Sequence, residues 1–222
     1  MLLRELTSQM HEDVDFWNVS DGGHIENLGI YELLRRRCHF IIAVDAEADA
    51  AIARASLMHC LNCAKIDLGA DVHMDGADFR PSAAGLTRAH FALGVIDYAP
   101  QPVFGQGAGA QTVRSRGYLL YIKASVTGDE HPLITQYRAR HPTFPHQTTA
   151  DQFFDEEQFE VYRALGEHIG TRLLRHEIVG TDDNLSAADF LAKLRQMLLP
   201  DDHFDRAPAR TCRATPGLAG AS

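Results

Sequence analysis

Asp21 is the residue whose type and setting could do chemistry. It closes the apolar-leaning stretch Phe16-Trp17-Asn18-Val19-Ser20 and is followed by Gly22 and Gly23. A carboxylate at the carboxyl end of a strand, where the chain crosses into a helix, sits where α/β sheets place their reactive groups. There a carboxylate can accept or donate a proton in general acid–base chemistry. With an ordinary pKa of about 3.9 it is a weak base for an alcohol. As a bare tripeptide Asp-Gly-Gly is a common turn, because aspartate bonds nearby backbone donors and glycine tolerates positive φ. The setting, not the tripeptide, carries the catalytic reading.

Other reactive groups are less well placed in the sequence. His59-Cys60-x-x-Cys63 invites a metal, but zinc normally takes four ligands and no second Cys or His pair follows at suitable spacing. Cys60 and Cys63 are expected on one side of a packed helix. Ser125 lacks the glycine elbow of an activated nucleophile, and Ser20 should point to the opposite side of its strand from Asp21. His24, His141 and His146 are dispersed, so surface or hydrogen-bonded structural roles are expected and a Ser-His-Asp triad is not supported. No metal ligand set and no cofactor are expected.

The elements that must position Asp21 can be read from apolar spacing. A strand over residues 16–20 turns at the glycines into a helix from residue 27 or 28 to 36, with Leu28, Tyr31 and Leu34 at helical spacing. Phe40-Ile41-Ile42-Ala43-Val44 then runs unbroken to Asp45, as expected of a parallel strand buried on both faces. Residues 16–45 thus read as a β-α-β unit. Further helices are expected over 50–66, 132–140, 156–170 and 186–199, the last capped by Ser186 with Asp189 three residues on. Strands are expected over 70–74, 90–99 and 117–125, with Gly105 to Ala110 as a glycine-rich loop without regular structure.

The string Asp21-Gly22-Gly23-His24-Ile25-Glu26-Asn27-Leu28-Gly29-Ile30-Tyr31-Glu32-Leu33-Leu34, with three arginines after it, resembles the catalytic-aspartate segment of the patatin-like phospholipases. Gly117 to Glu130 and Phe144 to Gly166 are similar to C-terminal segments of a large bacterial branch of that family. The resemblance spans roughly residues 16–170. It implies a lipid acyl hydrolase that pairs a serine with an aspartate and uses no histidine. Asp21 would take the serine proton as the hydroxyl attacks an ester, giving an acyl-enzyme that water hydrolyses. In the family the serine lies in a G-x-S-x-G elbow N-terminal to the aspartate, as does the glycine-rich oxyanion loop. This sequence contains neither. The implied fold is a partial layered α/β patatin-like fold with a mainly parallel central sheet flanked by helices. Residues 1–205 would form the C-terminal portion of the hydrolase domain and 206–222 a disordered tail. The implied partners are a lipid or acyl-ester substrate and the N-terminal half of the domain; the rival reading is a non-catalytic interaction module that keeps the fold.

Composition bounds these readings. At 222 residues and 45% hydrophobic content the chain suits one substantial domain. A net charge of −9 with scattered basic residues argues against a nucleic-acid partner. The dense run Arg35-Arg36-Arg37 falls where a helix should end and would offset the negative end of its dipole, with an anionic lipid surface as the alternative. No run approaches the roughly 18 apolar residues of a membrane span, and the N-terminus lacks the order of a signal peptide. The expected location is therefore cytoplasmic or peripheral to a membrane. Cys38, Cys60, Cys63 and Cys212 are expected to be free thiols.

Overall fold

The computed structural model describes residues 22–24, 26–105, 108–148, 150–174 and 185–199. The expected strand over 16–20, Asp21 itself and the expected tail over 206–222 lie outside them. The described chain is mixed α/β. Its strands are β1 (Phe40–Asp45), β2 (Asp71–His73), β3 (Phe91–Asp97), β4 (Gln101–Gly105), β5 (Ala108–Val113) and β6 (Arg116–Lys123). Its helices are α1 (Ile30–Arg35), α2 (Ala55–Leu68), α3 (Pro132–Arg140), α4 (Glu156–Leu173) and α5 (Ala187–Leu198).

Four strands form a sheet in the order β1-β6-β3-β2. β1 runs parallel to β6, but β6 pairs antiparallel with β3, and β3 antiparallel with β2. The expected mainly parallel sheet is therefore corrected to a mixed one. Continuous apolar runs report burial on both faces, and helices cover both faces of this sheet whatever the strand direction. β3 and β6 are joined through the β4–β5 hairpin, so they return antiparallel. That hairpin also corrects the Gly105 to Ala110 reading: Gly105 pairs with Ala108 across its tip, and the glycines on both arms accept extended backbone.

Alternation along β6 sends its side chains into two cores. Tyr118, Leu120 and Ile122 meet Leu93 and Val95 under α3, α4 and α5, whose Ile134, Val161, Leu165 and Leu194 are buried there. Leu119 and Tyr121 join Ile41, Ala43 and Ile96 beneath α1 and α2, through Ile30, Leu34, Leu57 and Ala64. β1 is expected to be buried on both faces, yet only Ile41, Ala43 and Asp45 are, while Ile42 is 51% and Val44 68% exposed. β1 lies at one end of the sheet order, where Phe190 of α5 reaches Phe40 at the start of the strand. This leaves Ile42 and Val44 beyond the helical layer.

Local chemistry sets the helix ends. Gly29 at φ 68 starts α1 later than its apolar spacing suggests. The Glu26 carboxylate, rather than a side chain at the cap position, accepts from the backbone N–H of Leu28 and Tyr31 at 2.7 and 3.2 Å. α2 begins at Ala55, not residue 50, because Ile52 and Arg54 hold left-handed backbone at φ 49 and 55. Asp49 stabilises that turn, accepting from the N–H of Ala53 and Arg54 at 2.9 and 2.7 Å. α5 starts as its sequence predicts: the Ser186 hydroxyl accepts from Asp189 N–H at 3.1 Å. Arg35 and Arg36 pair with Glu32, and Arg37 donates to Ala99 O and Ser115 Oγ, both at 2.8 Å. The arginine run is thus largely engaged within the fold. No helix among the described residues is long and apolar enough to cross a membrane.

Candidate functional site

Three features converge on the carboxyl ends of the parallel pair β1 and β6. The first is the segment that follows Asp21. Gly22 to His24 form a single 3-10 turn in which both glycines are exposed, closed by a bond from Glu26 N–H to Gly22 O at 3.0 Å. Among the described residues, a Cβ on Gly22 would meet nothing within 4 Å. Asn27 Nδ2 donates to Glu47 Oε1 at 2.7 Å. Since Glu47 lies two residues past β1, this bond ties the loop after the Asp-Gly-Gly turn to the carboxyl end of β1. α1 then packs beneath the sheet and returns the chain to the start of that strand, the geometry of the second half of a β-α-β unit.

The second feature is a buried ion pair. Asp45 and Lys123 stand opposite one another at the ends of the parallel strands, with Nζ 2.8 Å from Asp45 Oδ1 and side chains 2% and 0% exposed. Tyr121 OH donates to Asp45 Oδ2, Glu47 N–H donates to Oδ1 at 2.9 Å, and Lys123 Nζ also donates to Glu47 O at 3.1 Å. Burial, then the bond to Asp45, drive the Tyr121 hydroxyl well above its ordinary pKa, so it stays protonated and donates to Asp45. Both charges are satisfied by protein groups. The pair therefore locks the loop over residues 45–49 rather than offering a reactive group. The sequence shows an apolar strand ending in an aspartate and another in a lysine, but not their register.

The third is an open cleft of about 440 Å³ lined by Asn27, Glu47, Ala48, Asp49, Ala55 and Ser56. His146, from the segment after Phe144, lies within reach of Glu47 and Lys123: its imidazole is pushed below its ordinary pKa, first by burial and then by the Lys123 charge. Its Nδ1 is shielded from solvent and makes no hydrogen bond among the described residues. A surface or hydrogen-bonded place was expected for His146; it is half-buried, with the Glu47 backbone as a hydrogen-bond partner. His141, by contrast, stacks on Tyr137 at 4.2 Å.

A further polar cluster, invisible to sequence spacing, forms around His90 just before β3. His90 Nδ1 lies 3.2 Å from Ser125 Oγ, and its Nε2 lies 3.2 Å from Thr127 Oγ1 and 3.8 Å from Glu130 Oε1. The order serine, histidine, carboxylate mimics a triad. However, Ser125 has no exposed surface, and its hydroxyl also accepts from Thr87 Oγ1 at 3.1 Å, so no ester could reach it. Burial pushes the His90 imidazole down to about 4, leaving it neutral near pH 7. Asp129 and His168 complete this cluster.

The cysteines behave as structural thiols. Cys38, Cys60 and Cys63 are free. Cys60 is buried and its thiol is pushed up to about 12 by desolvation. Cys63 is half-buried, with its sulfur 3.7 Å from His59 Nε2. Comparison of the chain with protein-family models, with curated proteins and with solved structures gave no match.

Proposed function

We propose that this chain supplies the aspartate of a Ser-Asp dyad in a patatin-like lipid acyl hydrolase, with the nucleophilic serine and the oxyanion loop coming from residues outside it. The observation that carries the reading is the Asn27–Glu47 bond, which holds the loop six residues after Asp21 at the carboxyl end of β1. In an α/β sheet that is the end where reacting groups gather. The buried Asp45–Lys123 pair fixes the loop that receives this bond, so the chain on both sides of the contact is held. Gly22, with no described neighbour within 4 Å of a Cβ there, leaves room for a substrate or a nucleophile to approach the backbone closely.

In this reading the serine hydroxyl attacks the ester carbonyl while Asp21 accepts its proton. The alcohol leaves with a proton returned from Asp21, and water then hydrolyses the acyl-serine by the same route. The exposed Ile42 and Val44 beside this end of the sheet favour completion of the layer by a further segment. The test is to co-express the chain with a segment carrying a G-x-S-x-G elbow and treat the complex with a fluorophosphonate. The expected result is covalent labelling of the elbow serine that depends on this chain and is lost in Asp21→Asn. A folded complex labelled equally with and without Asp21 would overturn the proposal.

A further inference from the structure

We infer that His90, Asp129, Glu130 and His168 form a binding site for a divalent transition-metal ion of the zinc class, independent of the acyl-hydrolase reading. One ligand atom from each residue lies within 4.8 Å of all the others. The four come from three parts of the chain: the residue before β3, the turn after β6, and α4. Two imidazole nitrogens and two carboxylate oxygens make a mixed donor set that suits zinc.

The distances are close to those an ion would impose. Zinc bonds of 2.0–2.1 Å in a tetrahedron set ligand atoms about 3.3 Å apart. His168 Nε2 stands 3.5 Å from Asp129 Oδ1, and His90 Nε2 3.8 Å from Glu130 Oε1. Separations within the set run up to 4.8 Å, so its widest pair closes by about 1.5 Å when the side chains turn onto one ion.

Each donor is already oriented from behind. The far nitrogen of His90 meets Ser125 Oγ at 3.2 Å, and Nε2, the nitrogen that faces the cluster, would exchange its 3.2 Å contact with Thr127 Oγ1 for the ion. Glu130 accepts from Thr127 N–H and, at 2.8 Å, from Gly128 N–H. Asp129 accepts from Thr127 Oγ1 at 2.6 Å and pairs with Arg172 through its other oxygen, which leaves Oδ1 turned toward His168.

A hydrogen-bonded network without metal accounts for three of the four residues. It leaves His168 with one long contact: its Nε2 is shielded from solvent, lies 3.5 Å from Asp129 Oδ1 and makes no hydrogen bond among the described residues. A buried polar nitrogen left in that state is costly, and an ion at the centre of the cluster satisfies it. Four protein donors complete a tetrahedral sphere with no open position, so the ion is structural and clamps α4 to the turn after β6.

The test uses the full chain, stripped with a chelator and titrated with Zn²⁺ by calorimetry. One equivalent should bind, and the thermal midpoint should rise. His168→Gln and Asp129→Asn should each weaken binding at least tenfold while far-UV circular dichroism stays unchanged. Cys63→Ser should bind as the parent does. The Co²⁺-loaded parent provides a second reading that needs no variant: tetrahedral ligand-field absorption without thiolate charge transfer supports the site. No saturable binding, binding that survives His168→Gln, or a thiolate band overturns it.

Discussion

Replacing Lys123 with methionine is the most informative perturbation of the candidate site's frame. Lys123 has no exposed surface and its ammonium lies 2.8 Å from a carboxylate that is itself 2% exposed. At an effective dielectric of about 20 that separation corresponds to a gross attraction of about 6 kcal/mol. Much of this offsets the desolvation of both charges. Removing one partner of such a pair therefore costs about 3–5 kcal/mol, chiefly because the other is left buried and unpaired. Asp45 would keep its bonds from Tyr121 OH and Glu47 N–H, which places the expected loss near the lower end, about 3 kcal/mol. Neutralising both partners, with Asp45→Asn added to Lys123→Met, leaves no orphan charge and an amide whose oxygen keeps the Glu47 N–H bond while its NH2 faces the Tyr121 hydroxyl oxygen. The double variant should recover at least about 1 kcal/mol over Lys123→Met alone. Urea denaturation followed by far-UV circular dichroism reads both values. A Lys123→Met variant within 1 kcal/mol of the parent, or a double variant no better than the single one, would refute the reasoning.

Three further outcomes follow from other parts of the fold. Gly117→Ala should destabilise the chain by about 1–3 kcal/mol in the same denaturation assay, because its Cβ would lie 2.9 Å from the backbone oxygen of Cys38. Under native conditions Cys60 should resist alkylation while Cys63 reacts, as peptide mass spectrometry can show, since Cys60 is buried with its thiol pushed up to about 12. The His146 imidazole has a lower pKa folded than unfolded, so the unfolded chain binds its proton first as pH falls. Its contribution is complete above the ordinary imidazole value of about 6.5 and is lost as pH falls toward the depressed folded pKa; His146→Gln should flatten that part of a stability-against-pH curve.

Helical spacing, caps and apolar runs made most of the elements legible in the sequence. Pro132 to Arg140 is a helix to the residue, and Ser186 caps α5 through Asp189. Strand direction was not legible, because Leu119, Leu120, Tyr121 and Ile122 are buried on both faces and read alike in either sense. The start of α2 was missed because Ile52 and Arg54, ordinary helix residues by type, are held in left-handed backbone by Asp49. Of the candidate site, the turn at Gly22 and Gly23 could be read from the neighbouring sequence. The Asp45–Lys123 pair and the His90 cluster could not, since each joins residues tens of positions apart whose meeting depends on sheet register.

The claim that Asp21 is the base of a Ser-Asp dyad is tested most directly by ester hydrolysis in the complex with a G-x-S-x-G segment. The account predicts turnover by the parent and a fall in kcat of about 10²–10⁴-fold in Asp21→Asn, with the complex intact. Turnover unchanged by that substitution, or no turnover from a well-folded complex, would contradict it.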